Sequence, residues 1–197
     1  MKFNTKVIHG GQHHDASTGA VMPPVYQTST FVQTSPGQPL NPDYEYSRAA
    51  NPTRTALENA LASIENGTRG LAFSSGLAAT DCVLRSFKAG DEIIAMDDLY
   101  GGTYRMFTRI YKESGIKFHF VDMNDLEKFQ SLINENTKLV WVETPTNPLM
   151  KLADIAAIAQ ITKANNILFA VDNTFATPYL QKPLDLGADI VMHSATK

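Results

Sequence analysis

The sequence has almost no cysteine and no long apolar run. With one cysteine among 197 residues, Cys82, the chain cannot form an intrachain disulfide. Cys82 lies in an apolar stretch of helical pattern, which predicts a buried core thiol. No apolar run is long enough to span a bilayer, and residues 1–6 lack the apolar segment of a secretory signal. We therefore expect no membrane partner and a cytoplasmic location.

The sequence also lacks a block of basic residues and a clustered set of metal ligands. Lys and Arg number 17 and Asp and Glu number 20, for a net charge of -3, which argues against a nucleic-acid-binding surface. His13 and His14 are adjacent but have no further ligands near them in the sequence, so we predict no metal site. The composition is 43% hydrophobic, enough for one large domain with its own core.

Residues 1–50 differ in composition from the rest of the chain. They are rich in Gly, Pro, Ser, Thr and Gln and show little periodicity, which predicts an extended arm without its own core. Low net charge and several aromatic residues argue against simple disorder. The pattern favours an arm that packs on a neighbouring subunit.

A regular alternation of helices and strands begins at residue 51 and defines a second region, 51–197. Pro52 suits the first position of a helix that ends before Gly67. Further helices are predicted near 76–88, 102–113, 124–134, 153–164 and 181–186. Strands are predicted near 70–73, 92–96, 116–121, 138–143, 167–172 and 189–193. This alternation predicts an α/β fold with a mostly parallel sheet covered by helices on both faces.

Polar residues are concentrated where the predicted strands end. In open parallel sheets, ligands bind beyond the carboxyl ends of the strands. The polar segments that follow strands are 74–76, 97–100, 143–148, 172–174 and 193–197. We therefore expect a ligand site at this edge of the sheet.

Lys197 and Asp172 are the most informative pair at that edge. Lys197 follows a strand and lies among small hydroxyl residues, while Asp172 ends a buried strand. A lysine can form a Schiff base with pyridoxal phosphate, and an aspartate can keep the cofactor's ring nitrogen protonated. The alternatives are a solvated surface lysine and an aspartate paired with a lysine or arginine.

A phosphate site is predicted between two of the polar segments. Ser75, Gly76 and Leu77 join a strand to a helix, where free N–H groups and the helix dipole favour an anion. Ser194 and Thr196 can add hydroxyl donors to the same phosphate. The alternatives are an ordinary helix cap and ordinary turn residues.

Two further residues suit contacts with a cofactor ring. Tyr100 precedes a glycine-rich helix start, where its ring can stack on an aromatic cofactor, although a core tyrosine is an equal alternative. Asn147 can donate to a phenolic oxygen of the cofactor, or serve as a turn asparagine. His193 borders Lys197, but a packed histidine at a strand end is favoured over a catalytic base.

Taken in order along the chain, six segments resemble the Cys/Met-metabolism family of pyridoxal phosphate enzymes. They are residues 44–54, 75–79, 98–103, 143–148, 171–175 and 194–197. The resemblance implies the type I, aspartate-aminotransferase-like fold and a homodimer with shared active sites, assembled into a homotetramer. It also implies a small C-terminal domain beyond residue 197.

The same resemblance implies a role for each matching residue. Lys197, Tyr100 and Asp172 are expected to be catalytic, with pyridoxal 5'-phosphate held as a Schiff base on Lys197. The expected cofactor-binding residues are Tyr46, Arg48, Ser75, Gly76, Leu77, Tyr100, Asn147, Asp172, Ser194, Thr196 and Lys197. Tyr46 and Arg48 match residues that reach the phosphate in the neighbouring subunit, which would explain the arm. Glu143 lies in a matching segment but receives no role.

The resemblance implies an enzyme of sulfur amino-acid metabolism that acts on a small amino-acid substrate. The favoured reaction is γ-elimination or γ-replacement on cystathionine or an O-acyl-homoserine, as in cystathionine γ-lyase or γ-synthase. Methionine γ-lyase, cystathionine β-lyase and a homoserine-ester sulfhydrylase are the alternatives. An aminotransferase or a non-catalytic half-site is a more distant one.

Overall fold

The computed structural model describes residues 1–197, which divide into two compact units. The first unit is Met1–Ala72 and the second is Phe73–Lys197. The first unit therefore extends beyond the predicted arm of residues 1–50 and includes the helix that follows it. Contact of the arm with a neighbouring subunit stays a prediction.

The first unit contains two helices and one small hairpin. Helix α1 is Phe3–His9, strands β1 (Gln33–Ser35) and β2 (Gln38–Pro39) pair antiparallel, and helix α2 is Pro52–Glu65. Helix α2 begins at Pro52, the first helical position predicted from the sequence. The Asn51 side chain accepts a hydrogen bond from the Thr53 amide, and Pro52 occupies the first turn.

The second unit is built on a five-stranded sheet in which all the strands are parallel. Its strands are β3 (Glu92–Met96), β4 (Lys117–Val121), β5 (Thr137–Glu143), β6 (Leu168–Asp172) and β7 (Ile190–Met192). Their order across the sheet is β4-β3-β5-β6-β7. The carboxyl ends of β5 and β6 lie side by side, because Glu143 and Asp172 are register partners.

The core lies on both faces of this sheet. Strand β3 is buried throughout, and β5 is buried at every position except Lys138. The central strands therefore have the continuous apolar character of strands covered on both sides. The largest fully buried side chains are Trp141, Phe107, Phe129 and Phe169, and Phe107 meets Trp141 edge-on at 6.0 Å between ring centroids.

Helices connect the strands in the second unit. They are α3 (Gly76–Leu84), α4 (Gly101–Arg105) with a π-helical continuation (Met106–Tyr111), α5 (Leu126–Ser131), α6 (Ile155–Ala164) and α7 (Thr177–Leu180). Ser75, Asp125 and Asp154 cap α3, α5 and α6 by accepting backbone N–H bonds. None of the protein's helices combines the length and apolar character needed to cross a membrane.

The structure confirms the predicted α/β class and corrects three local predictions. Residues 70–73 form no strand; the Ala72 amide donates to the Glu58 side chain at 2.9 Å. The helix predicted near 181–186 is also wrong, because the helical turn is Thr177–Leu180, with Pro178 in its first turn. Cys82 is exposed on α3 and is not a core thiol.

Candidate active site

A cavity of about 190 Å³ opens at the carboxyl edge of the parallel sheet, where the sequence predicts a ligand site. Nine of the eleven predicted cofactor-binding residues line it: Ser75, Gly76, Leu77, Tyr100, Asn147, Asp172, Ser194, Thr196 and Lys197. Residues without a predicted role complete the lining: Thr80, Thr103, Glu143, Thr174, Phe175 and Met192. Tyr46 and Arg48, the other two predicted residues, belong to the first unit.

The start of helix α3 meets the loop after β7 at one part of the cavity. The Ser75 hydroxyl accepts from the Ala78 amide at 3.1 Å, so this side chain is a helix cap. A Cβ atom on Gly76 would lie 3.0 Å from Cβ of Ser194. Only glycine lets these two segments approach so closely without a shift. The arrangement places a helix N-terminus beside the hydroxyl residues Ser194 and Thr196, which suits a phosphate.

Asp172 ends β6 and is nearly buried, with 5% of its surface exposed. Its Oδ1 atom accepts from the Thr174 amide at 3.0 Å and from the Thr174 hydroxyl at 2.5 Å. Burial raises the pKa of Asp172, and the hydrogen bonds from Thr174 act in the opposite direction. None of the protein's salt bridges includes Asp172, so the alternative of a lysine or arginine partner is wrong.

Glu143 ends the adjacent strand, β5, and is equally buried at 5% exposure. Its Oε2 accepts from the Tyr100 amide at 2.7 Å, and its Oε1 accepts from the Asn147 amide at 2.9 Å. The pKa of Glu143 is raised to about 7: burial is the largest cause, the carboxylates of Asp172 and Asp98 also raise it, and the two hydrogen bonds lower it.

Tyr100 presents an aromatic ring to the cavity. The residue is 42% exposed and immediately precedes helix α4. A Cβ atom on Gly102 would lie 2.4 Å from Cε1 of Tyr100, so a side chain at position 102 would displace the ring. Gly102, the second of the two glycines that marked this helix start in the sequence, therefore has a steric function.

Lys197 lies on the exposed side of the cavity, in the segment that leaves β7. Its amide donates to the Ser194 carbonyl at 3.3 Å, which closes a tight turn of the chain. The Ser194 amide donates in turn to the Thr174 hydroxyl at 2.9 Å. Thr174 thus links the loops after β6 and β7, and it also holds Asp172. A threonine two residues after an aspartate gave no distinctive signal in the sequence.

The residues present fit pyridoxal phosphate. The lining offers a helix N-terminus with two hydroxyl residues for a phosphate and an exposed tyrosine ring for stacking. It also offers a lysine amine and, in Asp172, a buried carboxylate that lies near His193 and forms no salt bridge with a lysine or arginine. A buried carboxylate without a salt bridge is costly, and a pyridinium nitrogen would supply a positive charge beside it.

An α/β fold with a lysine, a buried aspartate and a helix N-terminus at one edge of the sheet is the arrangement expected of a pyridoxal phosphate enzyme. The model of the Cys/Met metabolism PLP-dependent enzyme family matches residues 4–197. The chain belongs to this family, and its cofactor is pyridoxal phosphate. The resemblance in six segments is thereby confirmed.

Relatives and solved structures carry several names within the family. The chain is 55% identical to cystathionine beta-lyase of Lactococcus lactis subsp. cremoris, over 99% of this chain and 51% of that protein. It is 52% identical to cystathionine gamma-lyase of Bacillus subtilis (strain 168), over 100% of this chain and 52% of that protein. A crystal structure of cystathionine gamma-lyase from Lactobacillus plantarum complexed with L-serine matches with TM-score 0.95 and 52% identity, over 100% of this chain and 51% of that one. The chain spans about half the length of the curated relatives it matches.

Proposed function

We propose that the protein is a transsulfuration enzyme that cleaves or forms the carbon–sulfur bond on the γ-carbon of its substrate. The substrate is cystathionine or an O-acyl-homoserine. The observation that carries the proposal is the presence of Lys197, Asp172 and Tyr100 around one cavity at the carboxyl edge of the sheet. The names of the relatives support it, because they are lyases and synthases of cystathionine.

Each side chain has a distinct task in this proposal. Bound pyridoxal phosphate stabilises the negative charge that develops on the substrate's α-carbon. The carboxylate of Asp172 keeps the ring nitrogen protonated, which strengthens that effect. The Lys197 amine holds the cofactor before substrate arrives and then moves protons between neighbouring substrate carbons. The ring of Tyr100 stacks on the cofactor and keeps it oriented.

The remaining predicted residues bind the cofactor's polar groups. The N–H groups at Gly76 and Leu77, with the hydroxyls of Ser194 and Thr196, take the phosphate. Asn147 donates to the phenolic oxygen. From the family resemblance, we assign Tyr46 and Arg48 to the phosphate of a neighbouring subunit in a homodimer with shared sites, itself paired into a tetramer. Within the first unit, the Arg48 guanidinium lies 5.0 Å from the centroid of the Tyr46 ring, so the two side chains are held together.

Product analysis of the complete protein tests the reaction. On cystathionine, γ-cleavage yields cysteine, 2-oxobutanoate and ammonia, whereas β-cleavage yields homocysteine, pyruvate and ammonia. With O-succinylhomoserine and cysteine, γ-replacement yields cystathionine and succinate. The proposal expects γ-products, with Lys197→Ala as the inactive control.

Cystathionine β-lyase is the second candidate, favoured by the relative that is 55% identical. Pyruvate and homocysteine as the dominant products would select it and reject the γ-reaction. Methionine should also be assayed, because release of methanethiol would indicate a methionine γ-lyase. If none of these substrates gave any product, the proposal would be contradicted.

A further inference from the structure

Glu143 has an unusual arrangement of hydrogen bonds for a carboxylate beside a ligand cavity. Both of its oxygens are occupied, and both accept from backbone N–H groups instead of from side chains or a cation. One donor is Tyr100, 43 residues earlier in the chain, and the other is Asn147, four residues later. A single buried side chain therefore connects the start of helix α4 with the loop that follows β5.

The two amides held by Glu143 belong to two residues of the proposed cofactor site. Tyr100 has no side-chain cap of its own at the start of α4. The loop at Asn147 is further braced from outside the cavity, where Asp98 accepts from the Thr146 hydroxyl and from the Leu149 amide. Asp98 does not line the cavity, whereas Glu143 does, so Glu143 holds this loop from the cavity side. We call the two hydrogen bonds that Glu143 accepts from the Tyr100 and Asn147 amides the brace.

We propose that Glu143 is a positioning residue that fixes the Tyr100 backbone, and through it the ring, and the Asn147 loop at the cofactor cavity. This inference rests on the proposed cofactor role of the cavity, but the bracing itself needs no ligand. A carboxylate suits the task because each of its two oxygens can accept from a separate N–H group. An amide or a protonated acid has only one good acceptor oxygen.

The charge of Glu143 makes this brace sensitive to pH. Burial raises the pKa of Glu143 to about 7. The titratable groups around it are Asp172 on β6, Asp98 after β3 and Tyr100 just before α4, and Lys197 lines the same cavity. As pH falls through about 7, the carboxyl gains a proton and one of the two N–H groups loses its acceptor. The brace is therefore complete above neutral pH and weakened below it.

Amide hydrogen exchange in the cofactor-free complete protein tests the brace directly. In Glu143→Gln, one of the Tyr100 and Asn147 amides should exchange about tenfold faster, and in Glu143→Ala both should, the factor expected for one hydrogen bond. Glu92→Gln is the matched control, because Glu92 is also 5% exposed but begins β3 at the opposite edge of the sheet. It should leave both amides at wild-type rates.

The wild-type protein provides a second test that needs no substitution. After correction for intrinsic exchange rates, protection of these amides should fall as pH is lowered from about 8 to about 6, and Glu143→Gln should lose that dependence. Unchanged exchange at both amides in Glu143→Gln and Glu143→Ala would overturn the inference, as would pH-independent protection in the wild type.

The cofactor-loaded protein separates this inference from the proposed function. Circular dichroism of the bound cofactor should weaken several-fold in Glu143→Gln and stay unchanged in Glu92→Gln. Equal signals in Glu143→Gln and the wild type would reject the positioning role while leaving the cofactor site intact. If the wild-type protein showed no circular dichroism band of the cofactor, the proposed function would be rejected. The amide exchange rates would then decide alone whether Glu143 holds the two amides.

Discussion

Two carboxylates on adjacent strands have different tasks because their hydrogen bonds differ. Asp172 and Glu143 are register partners and share the same degree of burial. Glu143 uses both oxygens on backbone amides, whereas Asp172 accepts its two bonds on Oδ1 alone. Of the two, Asp172 is therefore the carboxylate suited to meet a cation in the cavity.

Replacement of Asp172 by asparagine should abolish most turnover without unfolding the protein. Asn keeps the shape and can still accept from Thr174, but it removes the charge that keeps a ring nitrogen protonated. We expect kcat to fall by about 10²-fold or more, which corresponds to about 3 kcal/mol or more in the barrier. Steady-state kinetics on cofactor-saturated protein measure this. If the variant kept the wild-type kcat, the role of Asp172 would be structural and not catalytic.

Gly76 offers a steric test at the phosphate end of the cavity. A Cβ atom there would force Ser194 to move, so Gly76→Ala should weaken the affinity for pyridoxal phosphate about tenfold or more, the loss expected when phosphate contacts are misplaced. Gly101→Ala is the matched control, since it also begins a helix but would meet only the flexible end of Arg105. Titration with cofactor, followed by the fluorescence of the single tryptophan, Trp141, gives both affinities. Equal affinities in the two variants would contradict the account.

At the scale of elements, the two edges of the parallel sheet have separate functions. The carboxyl edge of β5, β6 and β7 holds the cavity, while the amino edge carries a charged network around Glu92. Glu92 accepts from Lys117 at 3.0 Å and from Asn134 at 2.9 Å, and it lies 2.8 Å from Nε2 of His119. The network joins the starts of β3 and β4 to the segment before β5, so its function is stability.

The stability contributed by Glu92 should disappear in acid. Hydrogen bonds from Asn134, His119 and Lys117 lower its pKa from 4.5 to about 2. A carboxyl group whose pKa is lower in the folded state stabilises the fold at any pH above its unfolded-state pKa. For Glu92 this contribution is lost as pH falls from 4.5 toward 2. Glu92→Gln should therefore cost about 1–3 kcal/mol at neutral pH and much less near pH 3. Urea unfolding at both pH values measures this, and an equal cost at both would refute the assignment.

The sequence predicted the parallel strands well because each is a continuous apolar run followed by polar residues. It failed at residues 70–73, where Leu71 and Phe73 also form an apolar run but remain exposed. A strand needs a partner, and here the Glu58 side chain satisfies the Ala72 amide instead. It also missed the role of Glu143, because a carboxylate that accepts from backbone amides leaves no pattern of residue types.

At the scale of the whole molecule, the predicted site residues are divided between two units. The residues around the cavity lie in Phe73–Lys197, whereas Tyr46 and Arg48 lie in Met1–Ala72. In the shared-site proposal, which rests on the family resemblance, Tyr46 and Arg48 serve the cavity of a neighbouring subunit. It predicts that two inactive variants can restore each other.

Arg48→Ala should weaken cofactor affinity by removing a phosphate contact, and Lys197→Ala should remove the reactive amine. When the two variants are unfolded together and reassembled, a mixed dimer contains one site with both residues intact. About a quarter of wild-type activity is expected, because about half the dimers are mixed and each has one complete site of two. No activity in dimers verified as mixed would contradict shared sites.

Reduction of the complete protein with borohydride tests the central claim, that this cavity holds pyridoxal phosphate on Lys197. The purified protein should absorb in the near-visible range when loaded with the cofactor, and reduction should fix the cofactor permanently. Peptide mass spectrometry should then find the added phosphopyridoxyl mass on Lys197 and on no other lysine, with no such addition in Lys197→Ala. A colourless protein, or the added mass on another lysine with Lys197 unmodified, would contradict the account.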